Sequence, residues 1–337
     1  MAAPQIAAVL IARDEARCIE RCLESLQPFV DRIVLVDTGS IDDTAVLAQR
    51  CGAQVHRFPW PGDFSVARNH ALDLADADWN LIVDADEWIM SGGETLRAWC
   101  DDLPRLGRAC VHSSFDTEGA GTSVDRSWIT RILPRGARFQ GRVHEQVASL
   151  LPRERVELHL SHDGYLDMQM VGKRDRNRPL LLLDLQDNPG DPYIAYQLGK
   201  ECEGRDEFAE ACEWYARAAT ATRSGDNWFH ELVVRQLHCL GQSGQVDEAL
   251  ALAEEHMKAL PDSPDFFFTL GNLALDKAMI EPADAVGHWL PLAVSAWERC
   301  LEIGERPELE GSVHGRGSHL ARHNLDVVRA QLALLGR

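Results

Sequence analysis

Asp84 and Asp86 stand two residues apart, directly after the apolar run Leu81, Ile82, Val83. A short run of that kind reads as a buried strand, so both carboxylates arrive at a strand end. In a parallel α/β sheet, ligands sit at the carboxyl ends of strands, where these oxygens would meet them. Hard oxygen donors suit Mg²⁺ or Mn²⁺, and Mg²⁺ is usually held by one or two carboxylates together with substrate phosphates. The bland alternative is a solvated acidic turn, and three residues alone do not choose between the two.

The elements that must position this pair are legible upstream. Residues 6–12 form a short apolar run, too short to span a membrane. Residues 14–27 carry Ile19, Cys22, Leu23 and Leu26 at helical spacing, which predicts one apolar helix face. Residues 32–37 (RIVLVD) read as a second buried strand ending in an acid, and Asp42 or Asp43 can cap a helix running to about Arg50. A third strand at 54–58, a third helix at 63–76 and a fourth strand at 79–84 complete a β-α-β-α-β-α-β pattern. That alternation predicts a mostly parallel sheet with helices on both faces.

The second half repeats itself at a period close to that of the tetratricopeptide helix-turn-helix unit. Leu198, Gly199, Ala211, Tyr215 and Ala218 occupy the packing positions of one unit, and Leu237, Leu240, Ala249, Ala253 and Pro261 those of a second. Leu270, Gly271, Ala293, Trp297 and Cys300 mark a third, stretched by an insertion around 279–288, and residues 320–335 would form a capping helix. Such units bury apolar surface only against their neighbours, so at least three are needed. Residues 188–192 (NPGDP) are a loop signal. The expected organisation is an α/β domain at 1–170, a linking helix and loop at 171–190, and a helical domain at 191–337.

The net charge of −19 makes nucleic acid a poor partner and argues against an anionic membrane surface. Nine scattered cysteines without a Cys-x-x-Cys pair, and no signal peptide or transmembrane segment, predict a cytoplasmic protein.

Five ordered motifs together carry a resemblance: VDTGS at 36–40, DFSVARNHAL at 63–72, DADEW at 84–88, FQGRVHEQV at 139–147 and SHDGY at 161–165. Over about residues 5–170 the chain resembles the family 2 glycosyltransferases of GT-A fold. It is similar to the bacterial subgroup that adds C-terminal tetratricopeptide repeats, some members of which glycosylate cysteine or serine in peptides and others act on surface polysaccharide. The fold this implies is an α/β GT-A domain, a Rossmann-like mixed sheet, followed by an all-α repeat domain. The activity it implies is an inverting, Mg²⁺- or Mn²⁺-dependent transfer from a nucleotide sugar, a UDP-sugar first, to a peptide, protein or polysaccharide acceptor.

Chemistry and resemblance together nominate residues. Asp86 is the first choice as direct ligand of the ion, and Asp84 would contact the ribose or the metal. By resemblance, Asp37 and Arg13 would help hold the base while Glu15 shapes that pocket, and Arg68 could reach the base or the diphosphate. An inverting transfer needs one general base, for which Glu145 is preferred, with His144 beside it. In a strand, adjacent side chains face opposite ways, so His144 and Glu145 share a site only if the segment ends or bulges there. His162, at the end of the RVELHLSH run, is the preferred third metal ligand, with His144 close behind. The rival class is a protein-interaction scaffold carrying a degenerate transferase domain; the intact acid pair, Arg68 and Glu145 speak against it. A nucleotidyltransferase is weaker still, since residues 11–14 are not a Gly-rich phosphate loop.

Overall fold

The computed structural model describes residues 3–101, 103–117, 121–165 and 176–335. The chain divides into two compact units, Met1–Asp184 and Leu185–Arg337, and the division falls inside helix α5 (Asn177–Asp187). Residues 166–175, the end of the expected α/β domain and the start of the expected linker, lie outside the described residues.

The first unit is built on an eight-stranded mixed sheet. Strands β1 (Ile6–Ala12), β2 (Arg32–Asp37), β3 (Gln54–Arg57) and β4 (Trp79–Ile82) run parallel in the order β3-β2-β1-β4. Strand β1 is buried almost throughout, as expected of a central parallel strand covered on both faces. Its side chains alternate between two cores, Ile6, Ala8 and Leu10 on one face and Ala7 and Val9 on the other. Helices α1 (Ile19–Leu26), α2 (Thr44–Arg50) and α3 (Phe64–Ala75) supply the covers. Helix α1 buries the predicted Ile19, Cys22, Leu23 and Leu26, but begins five residues later than its pattern suggests. Asp14 is the reason: its backbone sits in the left-handed region (φ 57°), its Oδ1 accepts from Ile41 N at 2.8 Å, and its N donates to Ser40 Oγ at 3.0 Å. Residues 14–18 are therefore pinned to the loop after β2 before the helix can start.

Beyond β4 the sheet continues with β5 (Glu87–Ser91), β6 (Leu106–Thr117), β7 (Gly121–Pro134) and β10 (Arg153–Tyr165), in the order β4-β7-β6-β10-β5, with the short helix α4 (Leu96–Trp99) between β5 and β6. β7 runs antiparallel to both β4 and β6, and β10 lies parallel to β6 and antiparallel to β5. Two short strands, β8 (Phe139–Gln140) and β9 (Gln146–Val147), form a separate hairpin.

The second unit is a run of helical hairpins: α6 (Pro192–Glu203) with α7 (Phe208–Ala219), α8 (Phe229–Gln242) with α9 (Val246–His256), α10 (Pro264–Ile280) with α11 (Leu290–Ile303), and a terminal α12 (His319–Leu335). Two of the starts are set by side-chain caps followed by proline: Asp191 accepts from Tyr193 N at 2.8 Å, and Ser263 from Phe266 N at 3.0 Å. The expected insertion is a short helix, Pro282–Asp284, running into a π-turn, Ala285–Trp289. The small-to-large packing seen in the sequence is literal. A Cβ on Gly199 would lie 2.4 Å from the Tyr215 ring, and one on Gly271 would lie 2.4 Å from Trp297. Among the described residues, no helix is long and apolar enough to cross a membrane.

Candidate active site

Register lines up the carboxyl ends of β2, β1 and β4. Ala12 pairs with Asp37 and Val9 with Ile82, so Asp37, Arg13 and Asp84 all leave the sheet at the same edge. Asp37 is buried, and its Oδ1 accepts from Ser40 N at 2.9 Å, which is the turn-capping role. Arg13 is exposed, with Nε 3.7 Å from Asp14 Oδ2. Glu15 is half-buried; its N donates to Thr44 Oγ1 at 2.7 Å and its Oε2 accepts from Cys18 Sγ at 3.2 Å.

Asp84, Ala85 and Asp86 form the turn between β4 and β5. Both oxygens of Asp84 accept from arginines: Oδ1 from Arg68 Nη2 and Oδ2 from Arg131 Nη2, each at 2.7 Å. The same Arg68 donates through Nε to Glu145 Oε1, so one buried guanidinium joins Asp84 and Glu145. Arg131 reaches on to Glu87 Oε1, while Glu87 Oε2 accepts from Asp84 N at 3.0 Å. Burial works against the Asp84 charge, but Arg131 and Arg68 outweigh it and hold the carboxyl well below the usual range. Glu87 is fully enclosed, and burial dominates there: beside Asp84 its pKa is pushed up to about 7 despite Arg131. Burial pulls the Arg68 guanidinium down, yet Asp84 and Glu145 leave it raised.

Asp86 lies on the other side of the turn, buried, with Oδ2 3.4 Å from His162 Nε2. His162 sits where β10 crosses β5 and β6, opposite Glu87 and Ser113, with Nδ1 3.3 Å from Ser113 Oγ. Burial lowers the imidazole's proton affinity, but the hydrogen bond and charge of Asp86 outweigh that and raise its pKa.

Glu145 does not lie in the strand its sequence suggests. The segment 139–147 is a hairpin whose arms are only two residues long, and the chain bends through 141–144, with His144 in the left-handed region (φ 51°). Strand alternation therefore does not separate His144 from Glu145. The hairpin is fixed from two sides. Asn69 on α3 bonds both the N and the O of Phe139 at 2.9 Å, and Asp184 accepts from Arg142 N at 2.8 Å and Arg142 Nη1 at 2.7 Å. The structure thus joins Asp84, Arg68 and Glu145 directly and sets Asp86 against His162, while Arg13, Glu15 and Asp37 stand at the neighbouring strand ends. Arg131 and Glu87 were not anticipated. The available signals were a lone arginine inside the apolar stretch 128–134, and an acid directly after the Asp pair.

A parallel half-sheet with its acids at the carboxyl edge, extended by a mixed half, is the architecture of a GT-A fold. Residues 7–127 match the sequence model of the family described as glycosyl transferase family 2. The chain is 30% identical over 284 residues to a TPR repeat-containing protein of Synechococcus elongatus, covering 79% of this chain and 68% of that one. It is 25% identical over 262 residues to the SPbeta prophage-derived glycosyltransferase SunS of Bacillus subtilis, covering 74% of this chain and 62% of SunS. The chain therefore spans just over two thirds of the first relative and under two thirds of the second. Among solved structures, glucosyl-3-phosphoglycerate synthase from Mycobacterium tuberculosis with Mn²⁺ and UDP is 24% identical, with a TM-score of 0.28 over 33% of this chain and 45% of that one. The chain belongs to the family 2 glycosyltransferases, with a helical-repeat C-terminal half.

Proposed function

We propose that the protein is an inverting, divalent-metal-dependent glycosyltransferase that moves a sugar from a nucleoside-diphosphate donor, a UDP-sugar first, to a hydroxyl or thiol of a peptide, protein or glycan. The observation that carries this is the Arg68 bridge between Asp84 and Glu145, set beside the Asp86–His162 pair at the strand ends. A carboxylate with an imidazole suits Mn²⁺, whereas Mg²⁺, which prefers oxygen, would rest on the carboxylate; either takes its remaining ligands from phosphate and water. When bound, such an ion supplies Lewis-acid stabilisation of the departing diphosphate. Asp86 and His162 would hold it. Asp84 has both oxygens on arginines, so we assign it first to orienting Arg68 and Arg131, with ribose and cation as further contacts. Arg13, Glu15 and Asp37 would line the nucleotide end.

Glu145 is the proposed base. Arg68 holds one of its oxygens, leaving the other to take the acceptor proton as the acceptor atom bonds the sugar C1 and the C1–O bond to the diphosphate breaks. His144 is the second candidate for that proton. The helical repeats are proposed to recruit a large acceptor, a task repeat surfaces suit because each unit adds exposed face.

A panel of nucleotide sugars with Mn²⁺, Mg²⁺ or chelator, followed by chromatography for donor hydrolysis and NMR of the product anomer, tests the reading. One donor should be consumed only with a divalent ion, and the product should have inverted configuration. Full turnover in chelator, or retained configuration, would defeat it. Substitution of exposed side chains on α8 and α10, such as His238 and Asp276, should reduce transfer to the native acceptor and spare donor hydrolysis.

A further inference from the structure

Strands β6 and β10 carry a second group of metal-type ligands, on the sheet face opposite the larger core. Ala109 and Val111 on β6, and Leu158 and Leu160 on β10, pack into the larger core. The alternation of strand side chains therefore turns Cys110, His112 and His159 the other way. Parallel register sets His159 beside Cys110, and His112 follows two residues after the cysteine on the same face. One nitrogen or sulfur from each of these three side chains lies within 4.8 Å of the other two, and His112 Nε2 is 3.0 Å from His159 Nδ1.

We propose that Cys110, His112 and His159 form a zinc-class site that clips β6 to β10, separate from the Asp86–His162 pair. A thiolate with two imidazoles is a donor set for a borderline-soft ion, whereas Mg²⁺ prefers oxygen. The separations suit a small ion after a modest spreading of the two rings, since zinc bonds nitrogen at about 2.0–2.1 Å and sulfur at about 2.3 Å. The surroundings fit as well. Cys110 is buried and the two histidines are half-buried, so the group is shielded and still reachable. Glu157 Oε2 lies 3.7 Å from His159 Nε2, on the side where a metal-bound histidine commonly meets a carboxylate, leaving Nδ1 for the ion. Trp128, opposite Cys110 on β7, approaches His159 edge-on and stacks under Arg155, covering that side. Binding would release the Cys110 proton to solvent as the sulfur–metal bond forms. Three protein ligands leave a fourth position for water.

The test uses the purified full chain, stripped with chelator and titrated with Co²⁺ and then Zn²⁺. One equivalent of Co²⁺ should produce a near-ultraviolet thiolate charge-transfer band that Zn²⁺ abolishes. Cys110→Ser should remove the band. His159→Gln should weaken Zn²⁺ binding, read by competition with a chromophoric chelator, by about 100-fold or more, since even outer-shell partners carry 10–100-fold. Asp86→Asn should leave band and affinity unchanged, which separates this site from the proposed donor site. Melting curves of each metal-free variant report folding, and His112→Gln replaces Cys110→Ser if the buried serine does not fold. No thiolate band in the wild type, a band that survives Cys110→Ser, or unaltered Zn²⁺ affinity in both histidine variants would overturn the proposal and leave a metal-free histidine pair.

Discussion

Each unit of this protein buries a cluster of charges, and the two clusters are balanced differently. In the sheet unit, Arg68 and Arg131 face three carboxylates, Asp84, Glu87 and Glu145. In the helical unit, Lys200 and Arg235 face two, Glu203 and Glu231: Lys200 Nζ lies 3.0 Å from Glu231, and Arg235 donates to Glu231 at 2.6 Å and Glu203 at 2.9 Å. The matched cluster is closed further by Tyr215, whose hydroxyl donates to Glu203 at 2.5 Å. Burial opposes the Glu231 charge, but Lys200 and Arg235 hold its pKa well below the usual carboxylate value. The unmatched cluster leaves Glu87 pushed up to about 7. A balanced buried network braces neighbouring helices, whereas an excess of acid at a strand edge suits the capture of cationic or proton-donating groups.

Exchanging one glutamate for glutamine in each cluster is the sharpest way to break that comparison. Glu145→Gln should lower transfer to a hydroxyl acceptor by about 10²–10⁴-fold, the range of general acid–base contributions, and because Asp84 and Glu87 still balance Arg68 and Arg131, melting should fall less than in the helical cluster. The loss should be smaller for a thiol, which is already partly ionised near neutral pH. Normal transfer to a hydroxyl would make Glu145 structural.

Glu231→Gln should do the reverse. Removing one partner of a buried ion pair costs about 3–5 kcal/mol, read as a lower urea midpoint of the helical unit. Donor hydrolysis by the folded fraction should persist. An unchanged midpoint would mean that the helical cluster contributes no bracing.

Asp86→Asn tests the acid side without touching the arginine bridges. A loss of donor turnover on the order of 10²-fold is expected, comparable to removing one preorganised electrostatic contact, with little change in melting. Equal turnover with and without the substitution would exclude Asp86 from the metal role. Gly199→Ala should cost about 1–3 kcal/mol, because the new methyl meets the Tyr215 ring and overpacks the α6–α7 contact. A neutral result in chemical denaturation would show that the ring can move aside.

The smallest effect concerns pH. Glu231 has a folded pKa below its unfolded value near 4.5. The stability it contributes is therefore present above about pH 4.5 and is lost as pH falls through the folded value. The urea-midpoint gap between wild type and Glu231→Gln should narrow steadily on acidification below that point. A gap that stays constant would place the stabilisation elsewhere.

How much of the site was legible follows from what each residue's neighbours are in sequence. Asp84 and Asp86 could be read because a local apolar strand delivers them, and Asp37 because its own strand ends there. Gly199 with Tyr215 and Gly271 with Trp297 were legible because helix packing repeats with a period. Glu145 was nominated through its motif, but its apparent strand is a hairpin with two-residue arms, bent at His144. Arg142 and Asp184 fix that hairpin across 42 positions of chain, and no local pattern announces such a contact. Arg131 is a lone arginine in a largely apolar strand, and its role depends on the sheet order that puts β7 beside β4.

By itself the sequence determined the alternation of strands and helices, the acids at the ends of β2 and β4, and the periodic small and large residues of the hairpins. All of these depend on interactions within a few turns or on a regular repeat. Only the tertiary structure decided that Arg68 joins Asp84 to Glu145, that His162 meets Asp86, and that His159 lies beside Cys110. Those pairs come from strands and helices far apart in the chain. Their meeting depends on sheet order and register, which arise from burying the whole set of apolar faces at once.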